Sequence, residues 1–181
     1  PGMNSYSANL DLPSKAETVI KRKVRLEKGA AYGKIQAAAA TKNEWTTYRY
    51  DNFRSGMTTT AIGGKLSLKW KAKLPTRPTA ATSAEGKVFV ANIDTHTLYA
   101  LDSKEGNIAW TFTADARIDS PPTYYKGMLL FGARDGWIYC LRASDGALSW
   151  RFKDLPDRLV GAYDQLESAW PIPGSVLVLK D

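Results

Sequence analysis

The sequence predicts an all-β fold, a partial β-propeller of four-stranded antiparallel blades, and three observations carry that prediction. Trp70, Trp110 and Trp150 recur at a constant forty-residue step. Between them lie runs of five or six residues that alternate or are wholly apolar, such as those beginning at Lys87, Thr97, Met128 and Trp137. Asp-Gly and Glu-Gly steps between the runs supply the positive φ that tight hairpins need. A period of about forty residues made of strands and turn glycines marks a propeller blade rather than an α/β enzyme. About two complete blades and parts of flanking ones are expected.

From the N-terminus, residues 1–44 differ from the rest and read as the tail of an upstream domain followed by a linker; residues 45–181 read as the propeller part. Within the first segment, Thr18 to Glu27 alternates apolar and basic positions as a half-buried strand would, and Gln36 to Ala40 reads as a linker or short helix. Leu66-Ser-Leu-Lys-Trp70 reads as the outer strand of a blade whose inner strands lie elsewhere. The two full units then align without a net gap, so that Leu98 meets Ile138, Tyr99 meets Tyr139, Ala100 meets Cys140, Leu101 meets Leu141 and Gly106 meets Gly146.

Each tryptophan closes its unit two residues after an apolar side chain, Leu68, Ile108 or Leu148, and strand alternation places both on one face. A sheet of four strands has two faces to bury, so blades pack face to face, and an indole at the outer strand can fill the gap between them. Its N–H then needs a carbonyl partner. These rings are read as blade-docking aromatics without a ligand role. After Trp150 the spacing stretches, and enlarged strand connections are where binding residues collect. Asp154, Asp157, Arg158, Asp164, Gln165, Glu167 and Trp170 are therefore the candidate binding-loop residues, the alternative being a surface excursion that covers a blade edge. Ser175-Val-Leu-Val-Leu-Lys-Asp181 reads as the first strand of a further unit.

Ala100-Leu-Asp102-Ser-Lys-Glu105-Gly106-Asn-Ile-Ala-Trp110 resembles the Ala-x-Asp-x-x-Thr-Gly-x-x-x-Trp signature of the quinoprotein type of propeller. Cys140-Leu-Arg142-Ala-Ser-Asp145-Gly146-Ala-Leu-Ser-Trp150 is a looser copy, in which Arg142 replaces the aspartate; Glu105 and Asp145 replace the threonine. The stretch from Trp45 to Gly56 is similar to the opening segment of PQQ-binding-like β-propeller repeat proteins, a bacterial group that includes an outer-membrane assembly scaffold. On this resemblance Ala100, Asp102, Gly106, Gly146, Trp70, Trp110 and Trp150 form the structural blade-docking set. It also implies periplasmic or other extracytoplasmic placement, and PQQ and calcium in those members that are dehydrogenases.

A ring of six to eight blades at this period needs about 240–320 residues, whereas the chain has 181. The expectation is an excerpt of a longer protein whose remaining blades complete the ring, the alternative being completion by another copy. The net charge of +7 is uneven: before Trp45 eight Lys and Arg face four Asp and Glu, and from Trp45 onward seventeen face fourteen. Lys21, Arg22, Lys23 and Arg25 form a short basic cluster interleaved with apolar residues, read as a solvated strand face. No contiguous basic groove with stacking aromatics emerges, so nucleic acid is not an expected partner. With a single cysteine, Cys140, an intrachain disulfide is excluded. No run of about eighteen apolar residues is present to span a membrane as a helix.

Alcohol oxidation by an electrophilic quinone needs a hard cation held by oxygens and a carboxylate base. Neither an adjacent cysteine pair nor an assignable set of calcium ligands is found, so no catalytic, cofactor-binding or metal-binding residue is assigned in this chain. His96, the sole histidine, reads as a water-exposed turn residue. The function expected is that of a non-catalytic propeller scaffold presenting strand-connecting loops to a protein or small ligand; the alternative is part of a PQQ-dependent dehydrogenase whose cofactor residues lie outside this chain.

Overall fold

The computed structural model describes residues 25–179 apart from 39 and 42, and among them there is no helix. Two antiparallel four-stranded blades form its centre. The first contains β2 (Thr82–Ala84), β3 (Lys87–Asn92), β4 (Thr97–Asp102) and β5 (Ile108–Thr113); the second contains β6 (Thr123–Tyr125), β7 (Met128–Gly132), β8 (Ile138–Arg142) and β9 (Leu148–Lys153). In both, each strand is hydrogen-bonded to its sequence neighbours. A partial all-β propeller is thus the observed architecture.

Tight turns explain why these short strands pair. Glu85 and Gly86, with φ of 50° and 67°, join β2 to β3; Lys126 and Gly127, at 45° and 80°, join β6 to β7. Two successive left-handed residues twist a hairpin in the sense its strands require. The inner hairpins and the outer ones are not offset equally. Thr82 pairs with Phe89 and Thr123 with Leu130, a step of 41, whereas the β4 and β8 partners Ala100 and Cys140 stand forty apart. The link preceding the second blade is one residue longer and its β7–β8 turn one shorter, so the ungapped alignment conceals two compensating shifts.

One hydrophobic cluster is shared by the blades. Phe89, Ala91, Leu98 and Ala100 of the first belong to the same core as Leu129, Phe131, Tyr139 and Leu141 of the second. Phe131 and Tyr139 stack with centroids 5.1 Å apart, and Phe112 of β5 meets both rings at 6.2 and 5.7 Å. Such edge contacts between large rings add to the burial that holds the layers together.

Four features differ from the sequence expectation. A β-bulge shifts register between Ala100 and Leu101, so that Trp110 pairs with Ala100 but Ile108 with Leu101. Adjacent residues of β4 face opposite sides, so Ile108 and Trp110 do not share a face; β8 and β9 repeat the irregularity at Cys140 and Leu141. Residues 66–70 form no strand, and Leu66 and Leu68 are exposed. Residues 175–179 likewise form no ladder; Val176 instead accepts a hydrogen bond from Thr123 Oγ1 through its carbonyl. Finally, the stretched connection after Trp150 contains a separate two-stranded sheet, β10 (Leu159–Ala162) with β11 (Gln165–Ser168).

Of the alternating segment Thr18 to Glu27, residues up to 24 lie outside the described residues, as does part of Gln36 to Ala40. Arg25–Lys28 forms β1, which pairs antiparallel with β9 from Arg25↔Lys153 to Lys28↔Trp150, making the second blade five-stranded. The chain then passes beneath that blade, where Tyr124 Oη donates to the Ala38 carbonyl at 3.1 Å.

Candidate functional site: docked tryptophans and an anchored hairpin

The turns that carry the repeat motif fix the tryptophans. Asp102 Oδ1 accepts the N–H groups of Lys104 and Glu105 at 2.8 and 2.9 Å, and these bonds hold its carboxyl below the usual carboxylate range. In the second copy Arg142 grips Asp145 with two bonds of 2.8 and 2.6 Å, replacing a side-chain-to-backbone clasp by an ion pair. Both turns present a left-handed glycine, Gly106 at φ 76° and Gly146 at 74°. Trp70 lies over Gly106 and Trp110 over Gly146; a Cβ on either glycine would stand 2.5 Å from a ring carbon. Trp70 Nε1 donates to the Ser103 carbonyl at 3.0 Å and Trp110 Nε1 to the Ala143 carbonyl at 3.1 Å. Ala100 is fully buried between Phe89 and Trp110. Trp150 is half-buried on β9, opposite Cys140 and Lys28.

The second region of interest is the β10–β11 hairpin. Its turn residues, Tyr163 and Asp164, are both left-handed, with φ of 51° and 61°. A bulky residue in that region is strained, and persists where its surroundings over-determine it. Here the Arg117 guanidinium lies 4.3 Å from the Tyr163 ring centroid, a cation–π contact that offsets part of the cost.

Glu167 anchors the hairpin root. Its side chain is only 3% exposed, with Oε1 2.7 Å from Arg117 Nη2 and Oε2 3.5 Å from Arg134 Nη1. Arg134 also donates through Nε to Asp119. The backbone follows the same path: Arg134 N–H donates to the Arg117 carbonyl, and Ser168 N–H to the Arg134 carbonyl, at 2.9 and 2.7 Å. At the first blade, His96 Nε2 meets Gln165 Oε1 at 2.6 Å. His96 is therefore half-buried and partnered rather than a free turn residue, although its left-handed φ of 55° does match that of its repeat partner Gly136 at 83°.

Cross-strand pairing divides the hairpin into two rows. Val160 opposes Glu167 in one, and Gly161 opposes Leu166 and Leu159 opposes Ser168 in the other; Glu167 and Ser168, at the root, are buried, whereas Val160 is exposed. Leu159, Tyr163 and Leu166 are 57, 76 and 66% exposed. The structure thus brings Gln165 and Glu167 together against the blade loops and sets Asp164 at the tip. Trp170 follows the hairpin, donating its N–H to Ser168 Oγ, and the Arg158 carbonyl accepts Ala169 N–H. Asp157 lies elsewhere: it pairs with Arg25 of β1 and with Lys153, and these contacts lower its pKa. Asp154, half-buried, precedes it. Arg117, Arg134, Asp119 and Tyr163 were not legible as site residues, because each stands alone in a link or turn with no pattern around it.

Among the described residues no three His, Cys, Asp or Glu side chains converge as a metal-holding group. Cys140, the single cysteine, is buried in β8, and burial pushes its thiol up to about 12. The described residues therefore do not offer the several oxygen donors around one point that a calcium–quinone centre needs.

A family model described as outer membrane protein assembly factor BamB matches residues 56–179, about two thirds of the chain. The chain belongs to the BamB family. BamB of Moranella endobia (strain PCIT) is 30% identical to it over 69 residues, which are 38% of this chain and 18% of that protein. Two solved structures share the fold: quinohemoprotein alcohol dehydrogenase ADHIIG of Pseudomonas putida HK5 (TM-score 0.57, 17% identity, 65% of this chain and 20% of that one), and the quinohemoprotein alcohol dehydrogenase of Comamonas testosteroni (TM-score 0.53, 17% identity, 74% and 23%). The chain therefore spans about a fifth of the length of these relatives. No helix among the described residues is long and apolar enough to cross a membrane.

Proposed function

We infer that this chain is a non-catalytic scaffold segment of a bacterial envelope protein, acting outside the cytoplasm, and that it offers the β10–β11 hairpin to a protein partner. One observation carries this reading. A ribbon with exposed Leu159, Tyr163 and Leu166 is rooted in a nearly water-free ion pair at Glu167. Exposed apolar side chains on a rigidly held support are what a docking surface requires. The role of the docked tryptophans in this reading is to keep the blades, and hence the hairpin, in fixed register. In this reading residues 45–181 carry the repeat units of the propeller part, and residues 1–44 are the tail of an upstream domain and a linker, of which Arg25–Lys28 adds a strand to the second blade. The family name, which describes assembly factors of the outer membrane, agrees with a binding rather than a chemical task.

Photo-crosslinking from position 166 in the bacterial envelope tests it, with position 62, also exposed, as the control site. A discrete protein adduct from 166 that is absent from 62 and abolished by Leu159→Ser with Tyr163→Ser supports the reading. Equal adducts from both positions, or dye-linked alcohol oxidation by the full-length protein after addition of PQQ and calcium, overturn it.

A further inference from the structure

The two blades are near copies, yet their outer edges are treated differently. On the second blade, the outer edge of β9 is covered by β1, and the pairing matches charge: Glu27 lies opposite Arg151 and accepts a hydrogen bond from its Nε at 2.7 Å. On the first blade no described strand pairs with the outer edge of β5. The two edges also differ in composition. β9 reads Leu-Ser-Trp-Arg-Phe-Lys, whereas β5 reads Ile-Ala-Trp-Thr-Phe-Thr, with Thr111 and Thr113 where β9 has Arg151 and Lys153. Lys, Arg and Pro are the residues that protect an open edge, and β5 has none. Beyond the bulge at Ala109, Trp110 to Thr113 are four consecutive residues of high β-propensity without charge, matching the four residues over which β1 pairs with β9, and they form a template for another strand.

We propose that the outer edge of β5 is a strand-addition site for an extended segment of another protein, uncharged and alternating between apolar and hydroxyl residues. The β1–β9 ladder supplies the geometry, and charge selects the occupant. A strand in the β1 register on β5 sets one row of side chains beside the half-buried Trp110 and Phe112 and the other beside the exposed Thr111 and Thr113. The first row suits apolar residues and the second suits threonine or serine, which pair well across strands. An acidic residue, which β9 receives through Arg151, meets no cation on β5. This site is separate from the hairpin and does not depend on its function.

The test uses the full chain and a labelled, end-capped peptide, Thr-Leu-Thr-Leu-Thr-Leu-Thr, with hydrogen exchange read residue by residue. Saturating peptide should slow exchange at least tenfold at the β5 amides that point away from β4 while leaving β1 and β9 unchanged. A peptide N-methylated on alternate residues keeps the side chains but cannot complete the ladder, and it should bind at least tenfold more weakly. Thr111→Lys, which places a cation where β9 has Arg151, should weaken the uncharged peptide tenfold and favour one with glutamate at its centre. The proposal is overturned by protection, in the free chain, of the β5 amides that point away from β4, by displacement of β1, by equal binding of the methylated peptide, or by sedimentation showing a dimer whose formation alone protects those amides.

Discussion

Replacing Gly146 by alanine isolates the contact that sets one blade against the next. The residue is left-handed at φ 74°, and the added Cβ would stand 2.5, 2.8 and 2.9 Å from three Trp110 ring carbons. Left-handed backbone costs a residue with a Cβ about 1–2 kcal/mol, and forcing an extra carbon into a packed site costs about 1–3 kcal/mol more. The ring cannot retreat freely, because its Nε1 is tied to the Ala143 carbonyl. A sum of about 3 kcal/mol corresponds, in a domain of this size, to a fall in Tm of about 6–12 °C. Gly86→Ala is the matched control: φ is similar at 67°, but the nearest atom is Ser103 Oγ at 4.0 Å. Strain alone then lowers Tm by about 2–8 °C. Thermal unfolding followed by tryptophan fluorescence measures both. Equal losses for the two variants would refute the argument, since they would show that the Trp110 ring does not constrain Gly146.

The remaining expectations concern the hairpin, the turns and the core thiol. Glu167→Gln leaves the buried Arg117 guanidinium without its carboxylate, a change that costs about 3–5 kcal/mol where one partner of a buried pair is removed; accelerated hydrogen exchange across β10 and β11 checks it. Asp102 titrates below its ordinary value because Glu105 and Lys104 donate backbone N–H bonds to it. A depressed folded-state pKa gives stabilisation that is complete above the unfolded value, about 3.9, and is lost as pH falls through the folded value. Asp102→Asn should therefore flatten the acid limb of the Tm-against-pH curve, and an unchanged limb counts against the clasp. Cys140, buried with its thiol raised to about 12, should resist a disulfide reagent at pH 8 in the folded chain and react at once in denaturant.

The forty-residue step of tryptophans, the glycines before them and the intervening β-rich runs determined the blade architecture. That information is local: each strand and turn records its preference within a few residues, and the repeat states it twice. The sequence also marked the stretched connection after Trp150 as unusual. It could not show that Glu167 would lie between Arg117 and Arg134, or that Gln165 would reach His96, because such pairs join residues 33 to 69 positions apart that carry no shared pattern. The bulges that part Ile108 from Trp110, the compensating shifts hidden in an ungapped alignment, and the capture of Arg25–Lys28 by β9 were likewise decided by the tertiary structure. Register and edge coverage depend on which surfaces meet in space, and a one-residue slip reverses a strand's faces without altering its composition.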